Sequence, residues 1–361
     1  MTTSGDLALL RATVREDADA VRRALADPSC DVAGFLRFAH RNRLGDFVYW
    51  SLRRLGLTGQ LSPEYLAAAK ANALLERMRQ EELLAELGRL GEIFQASGVR
   101  VLYLKGPLLA QRFYGGLEGR AAADLDLFIR SRDLARVERL LLEAGYRPAF
   151  RVLVSRRLSR YFAHHFEYRR KELPLDVHWQ FQRHFTFAID YGRVWASASR
   201  TVVRGREYEV VSAEYELVLQ ILGMLTDLQV GKLALRSLVD IHRIVRAMDA
   251  ATDWREFLAQ RERERILRPT AYILALVLEL LHCEDEFPLL RAELAPTLRE
   301  LPSTGLGVRA ALESRPLSAR QKLLALRIYE SPVAVSLSWW LLSLPFRLAV
   351  YGITRDAGER V

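Results

Sequence analysis

Two aspartates, Asp124 and Asp126, flank a single leucine in the run Ala123-Asp124-Leu125-Asp126-Leu127-Phe128-Ile129. On an extended strand, residues i and i+2 project from the same face, about 6–7 Å apart along the chain. Leu125, Leu127 and Ile129 are apolar, so the strand that carries the two acids is expected to be largely buried. Like charges on one face of a buried strand repel each other and lose hydration, a cost that a bound cation relieves. Oxygen-only ligands of this kind suit Mg2+, with Mn2+ possible, held by carboxylates together with substrate phosphates. An Asp-x-Asp pair is short enough to occur by chance, so its neighbours decide its meaning.

Three further groups supply that context. Lys105-Gly106 ends the β-prone run Val99–Leu104, and Pro107 then suits the first turn of a helix. Backbone N–H groups at a helix start, beside a lysine, make a phosphate site. Arg120 stands four residues before Asp124 and either contacts phosphate oxygens or pairs with one of the aspartates. Downstream, Leu173-Pro174-Leu175-Asp176-Val177-His178-Trp179 places Asp176 and His178 on one face of a second apolar strand, with Val177 and Trp179 on the other. A third carboxylate on a neighbouring strand would complete a two-metal site or act as a general base. His178 either contacts substrate, orients Asp176 or is a hydrogen-bonded core histidine, and Trp179 reads as core. His164 and His165 precede this strand as candidates for facing the cleft. Lys232, Arg236 and Asp240 recur at four-residue spacing, which reads first as an intrahelical ion-pair ladder and second as a cleft lining that reaches a triphosphate.

The elements that must position these groups follow from periodicity. The first hundred residues read as helices, with Leu74, Leu75, Met78, Leu83, Leu84, Leu87, Leu90 and Ile93 forming one apolar stripe from Pro63 to Ser97. Gly98 stops that helix. The period then changes to short strands at 99–104 and 123–129, with helices at about 107–114 and 134–144 and a strand pair at 166–170 and 174–179. Beyond Ser212 the helical period returns, and the nearly all-apolar run from Leu267 to Leu281 belongs inside a helical bundle. The expected fold is α+β: a mixed core over 99–212 between helical segments 1–98 and 213–361.

The ordered set Leu104-Lys105-Gly106, Tyr114, Arg120, Asp124-Leu125-Asp126-Leu127, Gly145-Tyr146 and Leu175-Asp176-Val177-His178-Trp179 resembles the bacterial nucleotidyltransferases of the polymerase-β-like superfamily. The resemblance spans about residues 60–260, including Leu235-Arg236-Ser237-Leu238-Val239-Asp240-Ile241. It implies a polymerase-β-like catalytic core. Asp124 and Asp126 would bind Mg2+ carrying the triphosphate of an NTP, most simply ATP. Asp176 would help hold a second ion and activate the acceptor. Lys105, Gly106, Arg120 and His178 would then line the nucleotide site. The superfamily's usual phosphate loop is a Gly-Ser pair, and Lys105-Gly106 replaces it here. The acceptor stays open among a small molecule, a peptide or protein side chain and an RNA end. A non-catalytic nucleotide- or partner-binding module of the same fold is the alternative.

Bulk properties agree with a globular binder of anions. The 361 residues carry a formal charge of +9, with 53 Lys+Arg against 44 Asp+Glu, which attracts nucleotides, nucleic acid and anionic lipid. The excess concentrates between Arg147 and Lys171, where eight cations face only Glu167. Cys30 and Cys283 have no metal-ligand spacing and read as reduced thiols of a cytoplasmic protein. No zinc-ligand spacing, nucleophile elbow or Walker A loop is present, so zinc is not expected. The start MTTSGDLALL does not read as a secretory leader. Residues 331–353 begin with an uncharged run containing Trp339 and Trp340, which reads as a buried helix or, second, as a peripheral membrane contact.

Overall fold

A computed structural model of the chain describes residues 4–27, 30–149, 163–182, 187–229 and 234–301. The basic residues Arg151, Arg156, Arg157 and Arg160, together with Lys232 and the whole of 331–353, lie outside the described residues. The chain opens with α1 (Ser4–Arg15), α2 (Ala18–Ala26), α3 (Val32–Arg41), α4 (Gly45–Arg54) and the long α5 (Pro63–Ala96). Next come β1 (Val101–Leu104), α6 (Gly106–Phe113), β2 (Leu125–Ile129), α7 (Leu134–Glu143), β3 (Arg147–Pro148), β4 (His165–Arg170) and β5 (Leu173–His178). Then follow α8 (Tyr191–Ala196), β6 (Ser199–Val203), β7 (Arg206–Val210), α9 (Ala213–Gln229), α10 (Leu235–Met248), α11 (Trp254–Arg263), α12 (Leu267–Leu281) and α13 (Pro288–Glu300).

The strands form one seven-stranded mixed sheet in the order β3-β4-β5-β2-β1-β7-β6. The two most apolar runs, β1 and β2, occupy its middle and are buried along their whole length. β2 runs antiparallel to β1 and parallel to β5, in a register that sets Asp126 between Leu104 and Asp176. Leu125, Leu127, Leu175 and Val177 face one side, where Leu83, Leu87 and Leu90 of α5 and Val137 and Leu141 of α7 cover them. Leu102, Leu104 and Phe128 face the other side, under Trp195 of α8 and Tyr215, Val218 and Leu222 of α9. The sequence reading lacked the β6–β7 hairpin. Its turn, Arg204 (φ 53°) followed by Gly205 (φ 75°), has the two successive left-handed residues of a two-residue hairpin without the usual Asn-Gly signature.

Two features depart from the helical expectations. α5 forms as its ends dictate, with Ser62 accepting the Tyr65 N–H, Pro63 in the first turn and Gly98 (φ 66°) just beyond its end. Yet its apolar stripe is not buried along its whole length. Leu83, Leu84, Leu87, Leu90 and Phe94 are buried, whereas Leu74, Leu75 and Met78 are at least 60% exposed, because the stripe runs past the sheet it packs on. The helical segments at the two ends are not independent either. Phe35, Phe47 and Trp50 share one apolar cluster with Leu217, Ile221, Leu238, Ile241, Leu274 and Leu290.

A buried ion pair joins that cluster to the sheet. Arg120 is 5% exposed; its Nε donates to Asp240 Oδ1 at 2.7 Å and its Nη2 to Oδ2 at 2.9 Å. Tyr114 Oη donates to the same Oδ1 at 2.6 Å, and Arg120 Nη1 reaches the Gly106 carbonyl at 3.3 Å. Asp240 thus faces the interior and pairs with Arg120 from another element, while Lys232 of the expected ladder lies outside the described residues. Removing one partner of such a pair costs about 3–5 kcal/mol, while replacing both with apolar residues is often neutral. Asp240→Ala is accordingly expected to lower stability by about that amount in urea unfolding, and Arg120→Met with Asp240→Leu to recover most of it. A loss for Asp240→Ala below about 1 kcal/mol would show that the clamp does not hold the two parts together.

Candidate active site

The site sits at the end of β2 and β5 where the sheet meets α6. Asp126 is 5% exposed. His178 Nε2 lies 2.9 Å from its Oδ1, and Lys105 Nζ lies 4.0 Å from the same oxygen. Burial opposes ionisation of this acid, but the ammonium and the imidazole outweigh it and hold the carboxyl well below the usual carboxylate range. Burial lowers the basicity of His178 more than Asp126 raises it, so the ring is neutral and donates from Nε2. Lys105 is held more basic than usual, chiefly by Asp126.

The other two acids behave oppositely. Asp124 is half-buried at the entry to β2, and burial together with Asp126 raises its pKa against the pull of Lys105 and Arg236. Asp176 is pushed up to about 7, first by burial and then by Asp126, with Glu167 and Asp124 adding to the push. One ionised carboxylate beside two that resist ionisation is a cluster short of positive charge. Asp126, Asp176 and His178 bring one donor atom each within 4.8 Å of one another, and Asp124 approaches from the same strand face. This oxygen-dominated set fits a hard divalent cation.

The backbone around the site is held unusually. Lys105 adopts φ 42°, ψ −141°, a conformation that side-chain-bearing residues avoid, and Gly106 follows at φ 51°. Such strain persists only where the surroundings over-determine it, and it costs on the order of 1–3 kcal/mol. The segment leading to Asp124 is pinned carbonyl by carbonyl. Gln80 Nε2 donates to Arg120 O at 2.6 Å, Arg236 Nη1 to Ala121 O at 3.2 Å and Arg79 Nη2 to Ala123 O at 3.1 Å. Gly119, at φ 84°, donates its N–H to Asp46 at 2.7 Å, and any Cβ there would meet the Trp50 ring at 2.9 Å.

Of the residues expected from the sequence, Lys105, Asp124, Asp126, Asp176 and His178 come together, and Gly106 shapes the turn beside them. Arg120 does not stand open to a phosphate: its guanidinium is spent on Asp240 and the Gly106 carbonyl. His178 bonds Asp126 rather than Asp176. Trp179 is core, 5% exposed. His164 and His165 do reach the site, with His165 and His178 stacked at a ring separation of 5.0 Å. Arg79, Gln80 and Asp46 escaped the sequence reading because they act through backbone carbonyls and N–H groups, which leave no residue-type pattern.

The acidic cluster stands beside a lysine and a glycine-shaped helix start, and Asp126, Asp176 and His178 are close enough to hold a metal ion. The chain belongs to a family described as uncharacterised nucleotidyltransferases, whose profile matches residues 28–282. It is thus a member of the transferase class that the motifs resembled. Four solved chains match, among them lincosamide antibiotic adenylyltransferase LnuA, lincomycin-bound, at 17% identity, 44% coverage of this chain, 94% of that one and a TM-score of 0.32. At that score the likeness carries no argument. No curated protein sequence matches the chain.

The two opposite pKa shifts make a paired prediction for protein kept in EDTA. The folded chain keeps the Asp176 proton to about pH 7, whereas an unfolded chain releases it near pH 3.9. This group therefore erodes stability as pH rises through that window. Asp176→Asn is expected to raise thermal stability at pH 8 by on the order of 1–2 kcal/mol after screening, and to leave it unchanged at pH 3.5. Asp126 has the other sign. Its stabilisation is present above the unfolded pKa and lost as pH falls below it, so Asp126→Asn should destabilise at pH 8. Melting curves across pH 3.5–8 check both; a parallel response of the two variants would contradict the assigned electrostatics.

Proposed function

We propose that this protein transfers a nucleoside monophosphate from an NTP, most simply ATP, to an acceptor nucleophile with release of pyrophosphate. Family membership supplies the reaction class, and the observation that carries the reading is the Asp124–Asp126–Asp176 cluster with its unbalanced charge. These three carboxylates would hold Mg2+, with Mn2+ as a substitute, and the bound ion would supply neutralisation of charge on the triphosphate.

The chain's own groups do the rest. Lys105 and the N–H groups opening α6 take the phosphate oxygens, which the +0.5 partial charge of a helix start favours. His178 fixes the Asp126 carboxylate through Nε2. Asp176 takes the proton of the acceptor hydroxyl on a carboxylate oxygen. Arg120 is a positioning residue that sets the Gly106 carbonyl, and so the phosphate turn, against α10.

The acceptor is read from shape. A cavity of about 210 Å3 opens beside Ala121–Ala123, one residue from Asp124, lined by His40, Arg43, Asn72, Glu76 and Arg236. It lies below the roughly 300–1,000 Å3 of drug-sized sites, so it favours a small polar acceptor, or one protruding group of a larger one, over a wrapped nucleic-acid strand. The described residues contain no helix long and apolar enough to cross a membrane.

The test is incubation of the full chain with each of the four NTPs and Mg2+, following pyrophosphate release and intact mass. Metal-dependent pyrophosphate is expected, reduced about 10²–10⁴-fold in Asp126→Asn, as loss of several kcal/mol of transition-state stabilisation implies. Pyrophosphate release that is indifferent to both EDTA and Asp126→Asn would refute the proposal. Calorimetric NTP binding by the same sample separates an enzyme lacking its acceptor from a chain that does not recognise nucleotide.

A further inference from the structure

Beside the carboxylates the fold gathers three histidines that no sequence spacing linked. His164 and His165 are adjacent at the start of β4, while His178 ends β5, fourteen positions from His164, and the β4–β5 pairing sets His165 opposite His178. Their ring nitrogens, one from each, lie within 4.8 Å of one another. His165 Nδ1 and His164 Nε2 are only 3.1 Å apart.

The ring nitrogens differ in what they face, and one of them, Nδ1 of His178, has no partner. His178 gives Nε2 to Asp126, while its Nδ1 is buried with no hydrogen-bond partner. In a ring 6% exposed, that is a lone pair without a donor, an arrangement buried polar atoms ordinarily avoid. His165 turns Nε2 toward Glu167 Oε1, at 3.7 Å, and so leaves Nδ1 for the His164 side. In both rings Nε2 faces a carboxylate, hydrogen-bonded in His178 and at a longer 3.7 Å in His165, while Nδ1 is without a partner in His178 and lies against the His164 ring in His165. This is the arrangement of metal-ligating histidines, whose second N–H is donated to a carboxylate that fixes tautomer and orientation. The 3.1 Å between the two imidazole nitrogens also suits a shared ion, since ligands about 2.0–2.1 Å from a tetrahedral centre stand about 3.3 Å apart.

We propose that His164, His165 and His178 form a second, nitrogen-rich cation site adjoining the catalytic carboxylates, taking a first-row transition ion of the Zn2+ or Co2+ kind. Imidazole nitrogens suit such ions, whereas the neighbouring carboxylates suit Mg2+. Three histidines leave an open fourth position, as catalytic rather than structural zinc sites do. Asp126 and Asp176 next to it balance the added charge. The site stands on metal binding alone and does not depend on nucleotidyl transfer.

The experiment uses the full chain stripped with EDTA and probed with Co2+ and Zn2+ alone. Wild type is expected to retain one equivalent of Zn2+ through gel filtration and to give visible Co2+ bands of a four- or five-coordinate centre. X-ray absorption at the zinc edge should find nitrogen neighbours at about 2.0–2.1 Å. His164→Ala and His165→Ala are expected to weaken Co2+ affinity by at least about tenfold, with melting curves unchanged and Mg2+·ATP binding within about twofold. Asp124→Asn, which alters the carboxylate side, should keep the Co2+ bands. Failure of wild type to retain either ion, an oxygen-only six-coordinate spectrum, or histidine variants that bind Co2+ as wild type does would each overturn the proposal and leave a hydrogen-bonded imidazole pair. Loss of Mg2+·ATP binding in Asp124→Asn, with Co2+ binding intact, reports separately on the transferase reading.

Discussion

Three carboxylates on one face at the end of a buried sheet are an electrostatic problem, and most of what surrounds them addresses it. Two unit charges 4 Å apart interact by about 4 kcal/mol at an effective dielectric of 20. The chain meets this by compensating one member far more than the other two. Asp126 receives Lys105 and His178, while Asp124 and Asp176 are left resisting ionisation. Lys105 reaches Asp126 only from a left-handed backbone position. The strain there makes sense as the cost of bringing an ammonium to the sheet while its peptide opens α6. The site is therefore pre-organised for added positive charge.

That arrangement survives because the polypeptide leading into it cannot move. Arg120, Ala121 and Ala123 each have their carbonyl caught by a side chain from α5 or α10, and Arg120 itself is locked onto Asp240. These bonds tie the sheet to the terminal helices, and the same helices pack across the chain into one apolar cluster. The active-site geometry thus depends on the docking of α5 and α10 as much as on the sheet. A change in how those helices pack would reach Asp124 through the 120–123 segment, without any contact to substrate.

The central strands, the β4–β5 pair and the acidic face were legible in the sequence because each is written in a local pattern: period-2 apolarity, a charged turn, two acids at i and i+2. Alternation alone placed Asp176 and His178 on a shared face, and the register then brought that face to Asp126. What was not legible depends on tertiary choice. Arg120 looked like a phosphate ligand because its charge was visible and its buried partner, 120 positions away, was not. Leu74, Leu75 and Met78 continued the apolar stripe, but periodicity does not say where the opposing surface stops. The β6–β7 hairpin, half polar and turned by Arg-Gly, carried too weak a signal to separate from loop.

The division between what motifs report and what they omit has a functional counterpart. The residues proposed to handle phosphate and cation sit on central strands and a helix start, where strand period and turn chemistry constrain them tightly. The cavity beside Ala121–Ala123 is lined instead by Arg43 from the α3–α4 turn, Asn72 and Glu76 one turn apart on α5, and Arg236 on α10. Helix surfaces accept substitution without disturbing the strand that carries Asp124 and Asp126, provided the buried face and the carbonyl clamps are kept. On the function proposed here, the reaction class belongs to the sheet and acceptor choice to the helices that close over it.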